Sequence, residues 1–276
     1  MSQLLLNLTI GFAISAILAF VSVRGRSLTF GGGLGAVVIG TAIYGYAGWT
    51  GYVVLLSFFF SSTVLTKVRY STKAAKGVSE LKAGARSIWQ TTGQGGVAAI
   101  LTGIALFFPR EPALVAAGFV GALAEANADT WAVEVGVLSK RYPRLITKFS
   151  KEVLPGTSGG ISSLGEFSAV AGSVFVALVA GVLGVFGSAP LLLFAATVIA
   201  AVVGEHVDSV LGATVQAVYH CPRCEKETER KVHRCGTHTK HLRGFEAMTN
   251  EAVNFVSTAI AAAIAVGLTL VFYLVL

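Results

Sequence analysis

Apolar residues fall into eight long runs along the chain, and polar segments separate most runs from the next. Each run approaches the roughly 20 residues that an α-helix needs to cross a bilayer. The pattern predicts an all-α, polytopic membrane helix bundle of about eight transmembrane helices, which forms a single domain over residues 1–276. Glycines near the start of the second run leave open whether the second and third runs are two helices or one broken element. The predicted helices span residues 4–22, 30–48, 50–66, 93–108, 112–138, 165–187, 190–218 and 252–275.

Basic residues are distributed very unevenly between the loops. The chain has 21 Lys and Arg residues, and 20 of them lie in four alternate loops. Loops rich in Lys and Arg remain on the cytoplasmic side of a membrane. Eight helices place all four basic loops on that side and both termini outside, which predicts a multi-pass protein of the cell membrane. The basic loops span residues 23–29, 67–92, 139–164 and 219–251.

Composition agrees with a membrane protein. Hydrophobic residues make up 54% of the chain and charged residues 13%, and the mean hydropathy is +0.73. A soluble domain carries about a quarter charged residues, so most of this chain faces lipid or a lipid-embedded core. The net charge of +7 indicates attraction to anionic lipids or phosphorylated substrates, and nucleic acid is not expected as a partner.

Two of the predicted helices carry acidic side chains at depths where charge is costly. A charge near the bilayer centre costs about 2.5–3.5 kcal/mol on insertion scales, so such acids need partners, a wet cavity or a cation. Glu125 and Asp129 lie four residues apart on one helix face. Glu205 and Asp208 share a stripe of a second helix with Ser209 and Gly212.

Carboxylates together with substrate phosphates are ligands that Mg²⁺ accepts. The two acidic helices therefore predict a Mg²⁺–phosphate site at their cytoplasmic ends, with Asp129 and Asp208 as the metal ligands. Hydrogen bonds or ion pairs between helices are the alternative explanation. The catalytic candidates are Asp129, Asp208, Glu125 and Asn127.

A glycine-rich turn at residues 155–162 follows the basic residues of the third basic loop. Its glycines would let backbone N–H groups face an anion, and the next helix N-terminus would add its dipole. The turn lacks the Gly-Lys-Ser/Thr ending of a P-loop, and a flexible connection to the membrane remains the alternative. Arg86 and Gln90 are further substrate contacts, although positive-inside anchoring alone also explains most basic residues near them. The candidate substrate and nucleotide contacts are Thr130, Glu134, Lys148, Gly156, Thr157, Ser158, Gly159, Gly160, Ser162, Ser209, Gly212, Arg86 and Gln90.

All three cysteines lie in the last basic loop, close to two histidines. Two-residue spacings in Cys221/Cys224 and in Cys235/His238 are typical of zinc knuckles. The pattern predicts a structural Zn²⁺ held by Cys221, Cys224, Cys235 and His238, with His233 as the alternative fourth ligand. Reduced thiols without a metal are the competing interpretation.

Three segments resemble one known family, and they are residues 124–136, 155–162 and 208–216. The family is that of the plant and cyanobacterial phytyl-phosphate kinase, which also includes transmembrane protein 19. Residues 221–254 resemble the family's last loop and the start of its last helix, with Asn250 and Asn254. The resemblance centres on the Asn-x-Asp-Thr-Trp motif at residues 127–131.

The resemblance implies phosphoryl transfer from a nucleoside triphosphate, with CTP favoured, to a phytyl or polyprenyl monophosphate lipid. The product would be the diphosphate, made at the cytoplasmic membrane face. The residues that the resemblance implicates are Asn127, Asp129, Thr130, Glu134, Gly156, Thr157, Gly159, Gly160, Asp208, Ser209 and Gly212.

Two other functions fit parts of the pattern. A cytidylyltransferase that makes a CDP-activated lipid would need the same metal and glycine elements. A cation- or proton-coupled transporter would spread its acids through the membrane depth, whereas these acids gather with the turn and the basic loops towards one face.

Overall fold

Long apolar helices dominate the computed structural model, which describes residues 2–75, 85–105, 107, 110–187, 189–233 and 235–275. The predicted all-α membrane bundle is confirmed, and two small antiparallel sheets, which were not predicted, lie in its connections. The helices are α1 (Ser2–Arg24), α2 (Phe30–Lys67), α3 (Tyr70–Ala75), α4 (Ile88–Ile104), α5 (Pro112–Gly136), α6 (Ser163–Val182), α7 (Pro190–Thr214) and α8 (Asn250–Val275). The strands are β1 (Arg144–Leu145), β2 (Lys148–Glu152), β3 (Gly160–Ile161), β4 (Val218–Cys221), β5 (Lys226–Thr228) and β6 (Lys240–Arg243).

Helix α2 folds back on itself at Gly48. This glycine has φ 66° and ψ −165°, a conformation that side-chain-bearing residues rarely adopt. The two halves pack closely against each other, as the short distance between Gly40 and Tyr52 shows. A Cβ placed on Gly40 would lie 3.1 Å from Cε2 of Tyr52. At the far end of the second half, Lys67 Nζ donates to the carbonyl of Gly25 (3.0 Å), close to where the first half begins. The halves match the predicted pair 30–48 and 50–66.

Among the described residues, five helices are long and apolar enough to cross a membrane: α1, α2, α6, α7 and α8, with α2 counted once. The exact number of crossings remains a prediction. Helix α5 occupies the centre of the bundle, where it packs against α4, α6, α7 and α8. Every residue of α5 from 117 to 128 is buried. Small residues allow this close approach; a Cβ on Gly121, for example, would lie 2.8 Å from Cβ of Ala265 on α8.

The connections that carry the basic residues meet at one end of the bundle, which we call the basic end. The loop before α2 pairs with the start of α4, where Thr29 N donates to Arg86 O (3.0 Å). The glycine turn packs on the last turn of α7, since a Cβ on Gly159 would lie 2.5 Å from Cβ of Ala213. Ser162 caps α6 by accepting a hydrogen bond from Gly165 N (3.1 Å). The basic end therefore gathers the glycine turn and the ends of α5, α7 and α8.

Thiol labelling will test the predicted orientation of the bundle. Cysteines that replace Trp49 or Arg110 should react with a membrane-impermeant thiol reagent added outside intact cells. Both positions lie in the short connections that alternate along the chain with the basic loops, and these connections are predicted to be outside. A cysteine that replaces Lys148 should not react, and neither should the native cysteines of the last basic loop. Labelling of position 148 from outside would contradict the cytoplasmic placement of the basic end.

Candidate functional site

Four carboxylates from two helices meet near the basic end. Glu125 and Asp129 come from α5, and Glu205 and Asp208 come from α7. Their side chains are close enough to interact electrostatically across the helix boundary. The contact is tight because α7 has Gly204 at this level, where a Cβ would lie 2.7 Å from Cγ of Glu125. The structure therefore places all four predicted acids near one another on α5 and α7, and we call these four residues the acid cluster.

The acid cluster has a buried floor and a more accessible rim. Glu125 is 1% exposed and Glu205 is 4% exposed, whereas Asp129 and Asp208 are half-buried. Glu125 Oε1 is buried with no hydrogen-bond partner among the described residues. An unpaired buried carboxylate oxygen is costly, and a cation bound at the cluster would relieve that cost. The donors are all oxygen atoms, which suits a hard cation such as Mg²⁺.

Helix α8 orients one of the rim carboxylates. Ser257 Oγ donates to Asp208 Oδ2 (3.0 Å). Asn254 Nδ2, with its amide turned to satisfy both partners, donates to the same oxygen (3.2 Å) and to Asn250 O (2.9 Å). Neither Ser257 nor Asn254 was predicted as a site residue, although the family resemblance includes Asn254. Two donors on Oδ2 leave Oδ1 of Asp208 as the oxygen better placed to bind a ligand.

The last basic loop contributes an unpredicted acid to the site. Glu229 Oε1 accepts hydrogen bonds from Ser158 Oγ (2.7 Å) and from Gln216 Nε2 (2.7 Å). Glu229 also interacts electrostatically with Asp129 and Asp208. Its hydrogen bonds thus tie the last basic loop to the glycine turn and to the end of α7, close to the acid cluster. The sequence gives no signal for this role, because Glu229 lies among other charged residues of a polar loop.

A histidine that sequence reasoning did not select lies beside Glu205, and its Nδ1 is hydrogen-bonded to Val202 O (2.8 Å). His206 Nδ1 lies 3.2 Å from Glu205 Oε2, and His206 Nε2 lies 3.0 Å from Glu166 Oε2. The ring therefore joins α7 to the first turn of α6. Among the predicted contacts, Ser209 Oγ lies 3.5 Å from Glu205 Oε1.

Asn127, a predicted catalytic residue, makes hydrogen bonds to two neighbouring helices. Asn127 is fully buried, and Ser61 and Ser62 of α2 both donate to its Oδ1 (2.9 and 3.1 Å). Its Nδ2 donates to Gly172 O of α6 (2.8 Å). Both ends of the amide are therefore engaged in joining α2, α5 and α6. Asn127 therefore holds the motif in place through both ends of its amide, and its catalytic role stays a prediction.

The two predicted contacts near α4 have different roles. Gln90 forms a capping box with Ser87, in which Ser87 N donates to Gln90 Oε1 (2.9 Å). This cap starts α4 five residues earlier than predicted and engages Gln90 Oε1, and a substrate contact through Gln90 stays a prediction. Arg86, by contrast, lies over the rings of Phe58 (5.4 Å) and Phe59 (5.9 Å) and interacts electrostatically with Asp129. Arg86 therefore keeps its predicted place beside the site.

The glycine turn has left-handed glycines at Gly156 (φ 85°) and Gly159 (φ 79°). Two of its N–H groups are already bonded within the turn, because Thr157 N donates to Leu154 O (3.1 Å) and Gly160 N donates to Thr157 O (2.9 Å). Anion binding by the turn stays a prediction that the remaining N–H groups would have to support. The other predicted residues nearby have structural positions: Ser162 caps α6, Gly212 packs beside Gly159, and Lys148 is exposed on β2.

Two further predicted contacts are engaged in helix packing. Thr130 Oγ1 donates to Ala126 O (2.8 Å) and accepts from Gln94 Nε2 (3.3 Å). Glu134 forms an ion pair with Lys73 at 2.5 Å, and Lys73 Nζ also donates to Leu65 O (2.6 Å). This pair is well buried, since the side chains of Lys73 and Glu134 are 4% and 17% exposed. Glu134 therefore fastens α3 to the end of α5.

Removing the positive partner of this pair should destabilise the protein strongly. In Lys73→Met the Glu134 carboxylate stays buried without its cation, which typically costs about 3–5 kcal/mol. Thermal unfolding in detergent should show the loss, and Lys73→Met combined with Glu134→Leu should recover most of it. The exposed pair Lys231–Glu246 provides the control, because Lys231→Met should change the unfolding temperature little. Equal stability of Lys73→Met and the wild type would contradict a structural role for Glu134.

The cysteine-rich end of the last basic loop gathers four metal-type ligands. The Sγ atoms of Cys221, Cys224 and Cys235 and a ring nitrogen of His233 all lie within 4.8 Å of one another. This set of three thiols and one imidazole has the composition of a closed tetrahedral zinc site. Of the two histidines considered from the sequence, His233 joins the group among the described residues. His238 instead pairs through its backbone with Val232.

Local hydrogen bonds distinguish the thiols of this group. Cys235 Sγ lies 3.3 Å from Thr237 Oγ1 and 3.2 Å from His233 Nδ1. Hydrogen bonding with Thr237, followed by that with His233, lowers the pKa of Cys235 to about 5. Hydrogen bonding with Cys235 raises the pKa of Cys224 to about 11. The pKa of the Cys235 thiol therefore lies below its usual range and that of the Cys224 thiol above it.

Comparison with known proteins places these features in a family. The model of the family described as integral membrane protein DUF92 matches residues 13–262. Protein PGR of Arabidopsis thaliana is 33% identical over 264 residues, which cover 88% of this chain and 90% of that protein. The uncharacterized membrane protein sll0875 of Synechocystis is 28% identical over 92% of this chain and 88% of its own length. The chloroplastic Protein VTE6 of Arabidopsis thaliana is 26% identical over 84% of this chain and 62% of its own length. No solved structure matches the chain significantly.

Proposed function

Because the chain belongs to the DUF92 integral membrane family, we propose that it is a membrane phosphotransferase that converts a phytyl or other polyprenyl monophosphate to the diphosphate. The phosphoryl donor is a nucleoside triphosphate, with CTP favoured. The observation that carries the proposal is the acid cluster, in which carboxylates from α5 and α7 converge at the end of the bundle that holds the basic loops. The resemblance of the Asn-x-Asp-Thr-Trp segment to the phytyl-phosphate kinase family supports the class of substrate.

The fit of the acid cluster to a divalent cation is the first step of the argument. Asp129, Asp208 and Glu125 would hold Mg²⁺, because they offer oxygen donors and Glu125 Oε1 has no hydrogen-bond partner among the described residues. The bound ion would neutralise negative charge on the reacting phosphates. Without such a cation, several buried acids would repel one another at a depth where charge is costly.

The protein's own groups position the reactants. Phosphoryl transfer needs little covalent chemistry from the enzyme, and positioning and charge neutralisation dominate. Ser257 and Asn254 fix the rotamer of Asp208. The guanidinium of Arg86 offers a fork of N–H donors that suits a phosphate, and it lies near Asp129. Glu229 fastens the last basic loop to the glycine turn and to the end of α7, beside the acid cluster.

Product identification tests the proposal. Purified protein in detergent is incubated with Mg²⁺, each of the four nucleoside triphosphates, and prenyl monophosphates of several chain lengths, and the lipids are analysed by mass spectrometry. The proposal predicts prenyl diphosphate together with the nucleoside diphosphate, and the highest yield with CTP. Protein carrying both Asp129→Asn and Asp208→Asn serves as the inactive control.

The same incubation separates the competing functions. A cytidylyltransferase would release pyrophosphate and leave a CDP-linked lipid. A transporter would leave every lipid and nucleotide unchanged. Either outcome would overturn the kinase proposal.

A further inference from the structure

An apolar crevice lies between α1, the two halves of α2 and α4, beside the acid cluster. Aliphatic and aromatic side chains such as Leu18, Ile39, Leu56 and Phe58 make up most of its wall. Of the described residues that line it, Arg86 alone carries a charge. An apolar space with a cation at one end is suited to a molecule that has an apolar chain and an anionic head.

The polar end of the crevice faces the acid cluster. Arg86 is held there by its backbone, because Arg86 N donates to Ser27 O (3.0 Å) and Arg86 O accepts from Thr29 N (3.0 Å). Gln94, which also lines the crevice, donates to Thr130 next to Asp129. The Oε1 atom of Gln94 is buried without a hydrogen-bond partner among the described residues. An anionic head at this end would lie between the guanidinium and the acid cluster.

The opposite end of the crevice is closed by a pair of hydroxyl groups. Ser15 Oγ and Tyr52 OH are hydrogen-bonded at 2.9 Å, and the Tyr52 ring packs edge-on against Tyr44 with centroids 5.4 Å apart. Gly40 lies directly beneath, where a Cβ would come within 2.4 Å of Ser15 Oγ. Along α1 the lining runs from Ser15 to Ser22, about 10 Å at 1.5 Å per residue. The Ser15–Tyr52 pair therefore forms a floor.

We propose that this crevice binds the isoprenyl chain of the lipid monophosphate, with its phosphate at Arg86 and with the Ser15–Tyr52 floor limiting how deep the chain reaches. The inference rests on the proposed function, since it names the binding site of the lipid in that reaction. Charge complementarity selects the occupant: among the described residues that line the crevice Arg86 is positive and none is acidic, so an anionic head fits and a cationic amphiphile does not. Chain-length preference is then a property of Tyr52 and Ser15.

Photo-crosslinking tests the inference without requiring turnover. Purified protein without nucleotide is irradiated with a prenyl monophosphate that carries a diazirine on its chain, and the labelled peptides are mapped. Labels should fall on α1 and α2 near Leu18, Ala36 and Leu56, and excess unlabelled prenyl monophosphate should remove them. Labelling elsewhere, or equal competition by a straight-chain alkyl phosphate, would overturn the assignment.

Matched variants sharpen the test. Ala36→Trp fills the crevice and should reduce labelling at least about tenfold, since each CH₂ displaced from an apolar site weakens binding about fourfold. Val38→Trp adds the same bulk to the outer face of α2, where Val38 is exposed, and should label like the wild type. Tyr52→Ala removes the floor and should shift competition towards longer chains. Equal labelling of the two tryptophan variants, together with unchanged chain preference in Tyr52→Ala, would contradict the inference.

The two proposals fail in different ways. Labelling in the crevice by a protein that forms no diphosphate would retain the lipid site and reject the kinase. A kinase whose KM for every chain length is unchanged in Ala36→Trp would retain the reaction and reject the crevice.

Discussion

Asp129→Asn and Asp208→Asn should each lower kcat/KM for phosphoryl transfer roughly 10²–10³-fold, the usual cost of removing one group that stabilises developing charge. The two residues come from α5 and α7 and interact electrostatically at the rim of the acid cluster. Asn keeps the size of Asp and removes its charge, so folding should survive. Loss of one metal ligand should also raise the Mg²⁺ concentration that supports residual activity. Steady-state kinetics across a Mg²⁺ titration would measure both effects.

The double variant and a control make this prediction specific. Residues that act as a unit lose most of their effect with the first substitution, so the double variant should be little worse than either single one. Glu111→Gln provides the matched control, because Glu111 is an exposed acid at the opposite end of α5 and its loss should leave kcat/KM unchanged. Wild-type turnover by well-folded Asp129→Asn and Asp208→Asn would show that the reaction takes place elsewhere.

Cys221→Ser should abolish zinc binding and unfold the last basic loop. Structural zinc sites contribute about 10–16 kcal/mol in zinc-finger peptides at neutral pH, far more than the small β4–β6 sheet supplies alone. Elemental analysis should find about one zinc per wild-type chain if the tetrahedral site forms, and almost none in the variant. Limited proteolysis should cut the loop of Cys221→Ser much faster. Activity should fall as well, because the loop carries Glu229, which bonds the glycine turn and the end of α7 beside the acid cluster.

The two nearby histidines provide the internal control for zinc. His233 lies with the three cysteines, whereas His238 does not join the group among the described residues. His233→Ala should therefore lose metal and His238→Ala should retain it. If the wild-type protein contains no zinc and its last basic loop still resists the protease, the interpretation of the thiols as metal-free would be favoured. Metal loss in His238→Ala but not in His233→Ala would support His238 as the fourth ligand, as the sequence spacing predicts.

Hydropathy and motif analysis predicted much of the fold, because both depend on properties that are local in sequence. The apolar runs predict the membrane helices, and the Asn-x-Asp-Thr-Trp motif predicted the family, which is confirmed by the match to the integral membrane family over residues 13–262. Helix ends were less accurate. The start of α4 moved to Ile88 because Ser87 and Gln90 cap it, and such a cap can only be distinguished from a substrate contact once the backbone is placed.

Site residues that depend on tertiary contacts were not predictable in the same way. Asn127 has the right chemistry for a ligand, but Ser61, Ser62 and Gly172 use both ends of its amide, and these partners lie 45 or more positions away in sequence. Glu229 shows the opposite case, because an acid in a polar loop acquires its role only when the loop folds over Ser158 and Gln216. Burial and hydrogen-bond partners decide the roles of Asn127 and Glu229, and the local spacing of residues in the sequence does not reveal either.

Isotope transfer tests the central claim most directly. Wild-type protein is incubated with a prenyl monophosphate and Mg²⁺, once with CTP labelled in its γ-phosphate and once with CTP labelled in its α-phosphate, and the lipid product is counted. The proposed reaction predicts that the γ-label enters the lipid and the α-label remains in the nucleotide. Lipid that carries the α-label, or lipid that carries neither label with any nucleoside triphosphate, would contradict it.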